Sequence, residues 1–200
     1  MRTLFLLFLM MNVSLLFGGE GYSVGDKASD FSLKNVDGRT VSLSDYANAK
    51  GFVVVFTCNH CPYAKAYQDR LIAIDKKYKE LGYPVIAINP NDPEIVPDDS
   101  YKEMQKRAKE KNYSFPYLFD EKQEVFKEYG ATRTPHVFVL QKNANGEPIV
   151  KYIGAIDDNY ENVDAVTQTY LADALDALIA GKNPDPDFTK AIGCTIKVKK

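Results

Sequence analysis

The run GFVVVF (51–56) has no polar alternation and is rich in β-branched residues, which predicts a strand buried on both faces. YPVIAI (83–88) predicts a second of the same kind. Between them Tyr63, Tyr67, Leu71, Ile74, Tyr78 and Leu81 recur at spacings of three and four. That is the stripe of an amphipathic helix, with Gly82 placed to close it. A crossover of this length predicts parallel pairing of the two strands.

Ahead of this unit, DFSLKNVDGRTVSL (30–43) reads as two short strands around the turn signal Asp37-Gly38. Behind it come the Pro-broken loop NPNDPEIVPDDS (89–100), a charged helix YKEMQKRAKEKN (101–112), a short strand YLF and a short helix EVFKEYG. PHVFVL (135–140) and PIVKYIGA (148–155) then form strands joined through Asn145-Gly146, and a last helix is expected from about Val163 to Ala180, closed by Gly181. The acidic pair in PDDS reads as solvated loop, and the tyrosines read as core. The whole pattern predicts an α/β fold: a mixed sheet with helices on both faces and an N-terminal β-hairpin extension.

The first residues change the picture of where the protein works. Arg2 is the only charge before Glu20, and Leu4 to Phe17 is almost wholly apolar. A basic start followed by an apolar stretch too short for a comfortable membrane span predicts a signal peptide, residues 1–21. An uncleaved leader would make a membrane anchor instead. Residues 22–181 are then expected to be one domain, and 182–200 a polar, Pro-punctuated tail. A net charge of −2 offers no basic surface for nucleic acid. Export, periplasmic or secreted, would place the cysteines where disulfides persist, with no membrane contact after cleavage.

Only three cysteines and two histidines are present, yet FTCNHCPYAKAY (56–67) holds Cys58, His60 and Cys61 together. They lie between a buried strand and a helix start, whose free N–H groups and partial positive charge favour a thiolate. Cys58 is expected to be the exposed, acidified nucleophile and Cys61 the resolving thiol that attacks the mixed disulfide. His60, with Asn59 beside it, is expected to tune the Cys58 thiolate. Structural zinc wants four ligands and finds too few, and haem attachment needs His directly after the second cysteine, where Pro62 stands. The thiols themselves carry electrons, so no cofactor is implied.

With its buried strand, Cys-x-x-Cys helix start and later RTPHVFVL, the chain resembles the thioredoxin-like superfamily, in its exported redoxin branch (AhpC/TSA-like). The resemblance covers about residues 23–181. It implies a cis proline at Pro135, with Thr134 and Pro135 holding the extended backbone of a partner protein. It also implies exchange of a Cys58–Cys61 disulfide with protein thiols or disulfides and a redox partner protein. Two departures stand out: Asn59 and His60 replace Gly-Pro between the cysteines, and GFVVVF lacks the buried acid that thioredoxins carry there.

Other chemistries use some of the same residues. A peroxiredoxin needs a Pro-x-x-x-Thr-x-x-Cys stretch, which VVVFTCNHC lacks. Copper-delivery proteins of thioredoxin fold suggest Cys58, Cys61 and His136 as an alternative ligand set. Cys194, in AIGCTIKVKK, is either a third redox thiol exchanging with Cys58 or Cys61, a link between chains, or an inert residue of a tail strand. The resulting expectation is an exported thiol–disulfide oxidoreductase, its direction of electron flow open.

Overall fold

A computed structural model describes residues 21–199. Apart from Gly21, the leader lies outside the described residues. Among those residues no helix is long and apolar enough to cross a membrane.

The elements are β1 (Leu33–Asn35), β2 (Thr40–Val41), β3 (Gly51–Phe56), α1 (Pro62–Tyr78), β4 (Val85–Asn89), α2 (Tyr101–Lys111), β5 (Tyr117–Phe119) and α3 (Val125–Tyr129). They continue with β6 (Arg133–Thr134), β7 (His136–Lys142), β8 (Pro148–Gly154), α4 (Tyr170–Ile179) and β9 (Cys194–Thr195). A seven-stranded sheet runs in the order β2-β1-β5-β4-β3-β7-β8, and β6 pairs separately with β9. β3, β4 and β5 are parallel, as their crossovers require. β7 and β8 form the antiparallel hairpin, and β1 and β2 the N-terminal one.

β3 shows why a continuous apolar run was needed. Phe52, Val54 and Phe56 enter one core with Ile86, Ile88, Phe126 and Phe138. Val53 and Val55 enter the other, with Tyr67, Leu71 and Tyr78 of α1, Met104 of α2 and Leu171 and Leu175 of α4. Side chains alternate across a strand, so a sheet covered on both faces needs apolar residues at every position. The central strands are thereby fixed, and their C-terminal ends present the segment after β3 beside the start of β7.

Two helix bounds differ from expectation. α1 ends at Tyr78, and Leu81 is exposed. The last helix begins at Tyr170 rather than Val163, because residues 163–165 form a separate 3-10 turn capped by Asn162. Thr167 then bonds Asp158 through both its N–H and its hydroxyl, which holds the chain out of helix.

The tail does not trail into solvent. Asp187 and Thr189 bond the Ile153 backbone along β8, and the chain passes so close to Gly154 that a Cβ there would lie 2.1 Å from Thr189 Oγ1. It then crosses to β6, where Thr134 is in register with Cys194 and Arg133 with Thr195.

Candidate active site

Phe56, the last residue of β3, pairs with Ile88 on one side and His136 on the other. Thr57 continues the ladder by donating its N–H to Ile88 O at 2.8 Å. Cys58 therefore emerges beside the Thr134–Pro135 peptide, which is cis as expected. Its Sγ lies 3.2 Å from Thr134 Oγ1.

The two cysteines do not take the expected positions relative to α1. The helix starts at Pro62, with Cys61 as its N-cap. The free N–H groups and partial charge of the helix end therefore act at Cys61 and fade with distance toward Cys58. Cys58 is also not exposed: it is 1% accessible, and Cys61 is 0%. Burial, followed by the charge of Asp99, pushes the Cys58 thiol up from the usual 9.0 to about 11. Cys58 is thus a buried, protonated thiol rather than an acidified nucleophile.

Cys61 is disulfide-bonded to Cys194, with Cα atoms 6.0 Å apart, and Cys58 is free. The bond present is therefore not Cys58–Cys61. The cause is tertiary: pairing of β9 with β6 places Cys194 opposite Thr134, whose carbonyl oxygen lies 3.3 Å from Cys61 Sγ. The Thr134 edge, expected to hold a partner's backbone, is occupied here by the chain's own tail.

The acid absent from β3 is supplied by the loop after β4. Asp99, read from sequence as solvated, is fully buried. Its Oδ1 accepts from Asn59 N at 2.7 Å and His60 N at 3.2 Å. Its Oδ2 lies 2.5 Å from His60 Nδ1 and accepts from Asn91 Nδ2 at 2.8 Å. A carboxylate so close requires the proton on His60 Nδ1 to point at Asp99. Nδ1, 3.6 Å from Cys58 Sγ, is then not free to accept from the thiol. Asn59 completes the clamp, donating Nδ2–H to Asp98 O and accepting from Tyr117 OH. No periodicity announces Asp99. The one available signal is its place in a polar loop beyond the C-terminal end of a parallel strand, where open α/β sheets carry their sites.

Cys58, His60 and Asp99 offer three donor atoms within 4.8 Å of one another. Both Asp99 oxygens are already engaged by four protein donors, so the cluster is a hydrogen-bond network that fixes the 58–61 turn. The copper set Cys58, Cys61 and His136 is not assembled. The sulfur of Cys61 is bonded to Cys194, while His136 Nδ1 accepts from Thr132 N and its ring packs on Phe138. Burial lowers the His136 pKa to about 4.

With this geometry in view, comparison with known proteins places the chain. It belongs to the AhpC/TSA family, which matches residues 24–146. It is similar to the thiol-disulfide oxidoreductase ResA of Geobacillus thermodenitrificans, at 25% identity over 83% of this chain and 94% of that protein. Among solved structures it is similar to an uncharacterized conserved protein from Geobacillus kaustophilus, at 40% identity and a TM-score of 0.80 over 88% of this chain and 93% of that one. A hypothetical protein from Sinorhizobium meliloti 1021 matches at 31% identity and a TM-score of 0.81, covering 90% and 96%. The chain is a thioredoxin-like oxidoreductase of the redoxin branch.

Proposed function

We propose that this protein is an exported thiol–disulfide oxidoreductase that exchanges disulfides with protein thiols through its cysteine cluster, residues 1–21 serving as the leader. One observation carries the reading. Cys61, at the N-cap of α1 and beside the cis Thr134–Pro135 peptide, is already in a disulfide while a second thiol, Cys58, packs in the same cluster. The similarity to ResA supports the same chemistry.

The setting of Cys58 bears on direction. A strongly oxidising couple arises where the reduced thiolate is stabilised. Burial and Asp99 disfavour the Cys58 thiolate, so a disulfide that includes Cys58, such as Cys58–Cys61, is pushed toward the reducing direction.

The test is a redox titration of the mature protein in defined thiol–disulfide buffers, with trapped thiols assigned by peptide mass. A two-electron couple involving Cys61 is expected, nearer about −270 mV than about −120 mV where Cys58 is the second thiol. If Cys61 stays a free thiol at every poise, the reading fails.

A further inference from the structure

The three sulfurs of the site differ in one respect that decides where a partner can reach them. Cys58 and Cys61 are buried, whereas Cys194 is partly exposed. The tail also covers the Thr134 edge, so an incoming chain meets Cys194 before it meets either member of the Cys-x-x-Cys pair.

The docking of that tail is built into the fold beyond the disulfide. Ile196 is 5% accessible and joins the core. Asn91 Oδ1 accepts from Lys197 N at 2.8 Å, while Lys197 O accepts from Asp92 N and from Gln123 Nε2. Lys199 N donates to Gln123 Oε1 at 2.7 Å. Gly193 lies so close to the cis peptide that a Cβ would stand 2.2 Å from Thr134 O and 3.1 Å from Pro135 N. Asn91 further joins the tail to Asp99, and through it to His60. The tail is thus held against the site whether or not Cys194 is oxidised, as a resident thiol must be.

From these contacts, and resting on the thiol–disulfide reading above, we infer that Cys194 is the partner-facing redox residue and that Cys61 is its resolving partner. In the reducing direction the Cys194 thiolate attacks one sulfur of a partner disulfide, and the partner's other sulfur leaves as a thiolate that takes up a proton. A Cys194–partner disulfide results. Cys61, as thiolate, then attacks Cys194 Sγ; the second partner sulfur leaves and is protonated. The partner has gained two electrons and two protons, and the enzyme rests as Cys61–Cys194, the state in this structure. Attack of Cys58 on Cys61 Sγ would release Cys194 as a thiol and leave Cys58–Cys61. This second step changes no oxidation level and passes the disulfide inward.

The experiment uses the full mature chain carrying Cys61→Ser, which cannot resolve a mixed disulfide, and oxidised glutathione as probe. After acid quench, alkylation and peptide mapping, the adduct is expected on Cys194 in at least about tenfold excess over Cys58. In the wild-type background, Cys194→Ser is expected to slow exchange with glutathione by at least about tenfold, because only buried sulfurs remain. Gly193→Val keeps all three thiols but displaces the tail, and is expected to shift the disulfide from Cys61–Cys194 to Cys58–Cys61. An adduct mainly on Cys58, with Cys194→Ser exchanging at the wild-type rate, would overturn the assignment and leave a two-cysteine oxidoreductase intact. A wild-type chain in which Cys61 forms no disulfide at any poise would overturn both readings.

Discussion

The turn after β3 and the C-terminal tail each supply one sulfur to the same disulfide, but they are held by different means. The turn, residues 57–61, is fixed by polar groups: a buried carboxylate takes two backbone N–H groups, the His60 ring and Asn91, and Asn59 is clamped between Asp98 and Tyr117. The tail is fixed by a short ladder, one buried isoleucine, a glycine that allows backbone to touch backbone, and hydrogen bonds between its backbone and the neutral Asn91 and Gln123 side chains. The first kind of anchoring sets electrostatics, since every group there carries a dipole or charge. The second, built from apolar and neutral polar groups, sets position. A redox site can therefore keep an internal thiol in a demanding environment while a third cysteine is delivered to it by ordinary packing.

The most severe way to break the comparison is Cys61→Ser, because the Cys61 sulfur is the turn's half of the bond that joins the two regions. Turnover of a dithiol–disulfide substrate is expected to fall on the order of a thousandfold, measured against wild type at equal folded protein. Asp99→Ala strikes the turn directly and the tail only through Asn91. It strands the Asn59 and His60 amides and Asn91 Nδ2, and is expected to cost about 3–4 kcal/mol in denaturant unfolding. The milder Asp99→Asn removes the charge, so the Cys58 thiol is expected to titrate below about 11 when thiolate absorbance is followed with pH. An unchanged or higher value would mean that Asp99 does not act on Cys58 electrostatically.

The alkaline side gives a further handle on the turn. Cys58 titrates near 11 folded against 9.0 ordinarily, so the fold favours the protonated thiol. Its contribution is fully present below pH 9.0 and is lost as pH rises toward about 11. This difference amounts to about 2–3 kcal/mol. Wild-type stability should drop across that window relative to Cys58→Ser; parallel curves would refute the link. An effect of similar size is expected in the tail. Ile196→Ala should cost about 2–3 kcal/mol, with amide exchange accelerating at Lys197 and Lys199 while the Asn59 and His60 amides stay protected. Equal loss of protection in both places would show that the two anchors are one.

Local pattern was enough for the parts of the molecule governed by periodicity and turn chemistry. The uninterrupted GFVVVF run could only satisfy two cores, the stripe from Tyr67 to Tyr78 could only face one, and Asp37-Gly38 and Asn145-Gly146 could only be hairpin turns. Cys58 and Cys61 were legible because their spacing lies within one turn, and Thr134-Pro135 because a resemblance carried it. Tertiary structure alone decided that Asp99 is buried, ten residues beyond the end of β4, because burial of a charge depends on donors brought from other segments. It likewise decided that Cys61 pairs with Cys194, 133 residues away, since a disulfide needs two Cα atoms brought close together. Short-range pattern fixes which residues face a core; only the packed chain fixes which polar groups and sulfurs face one another.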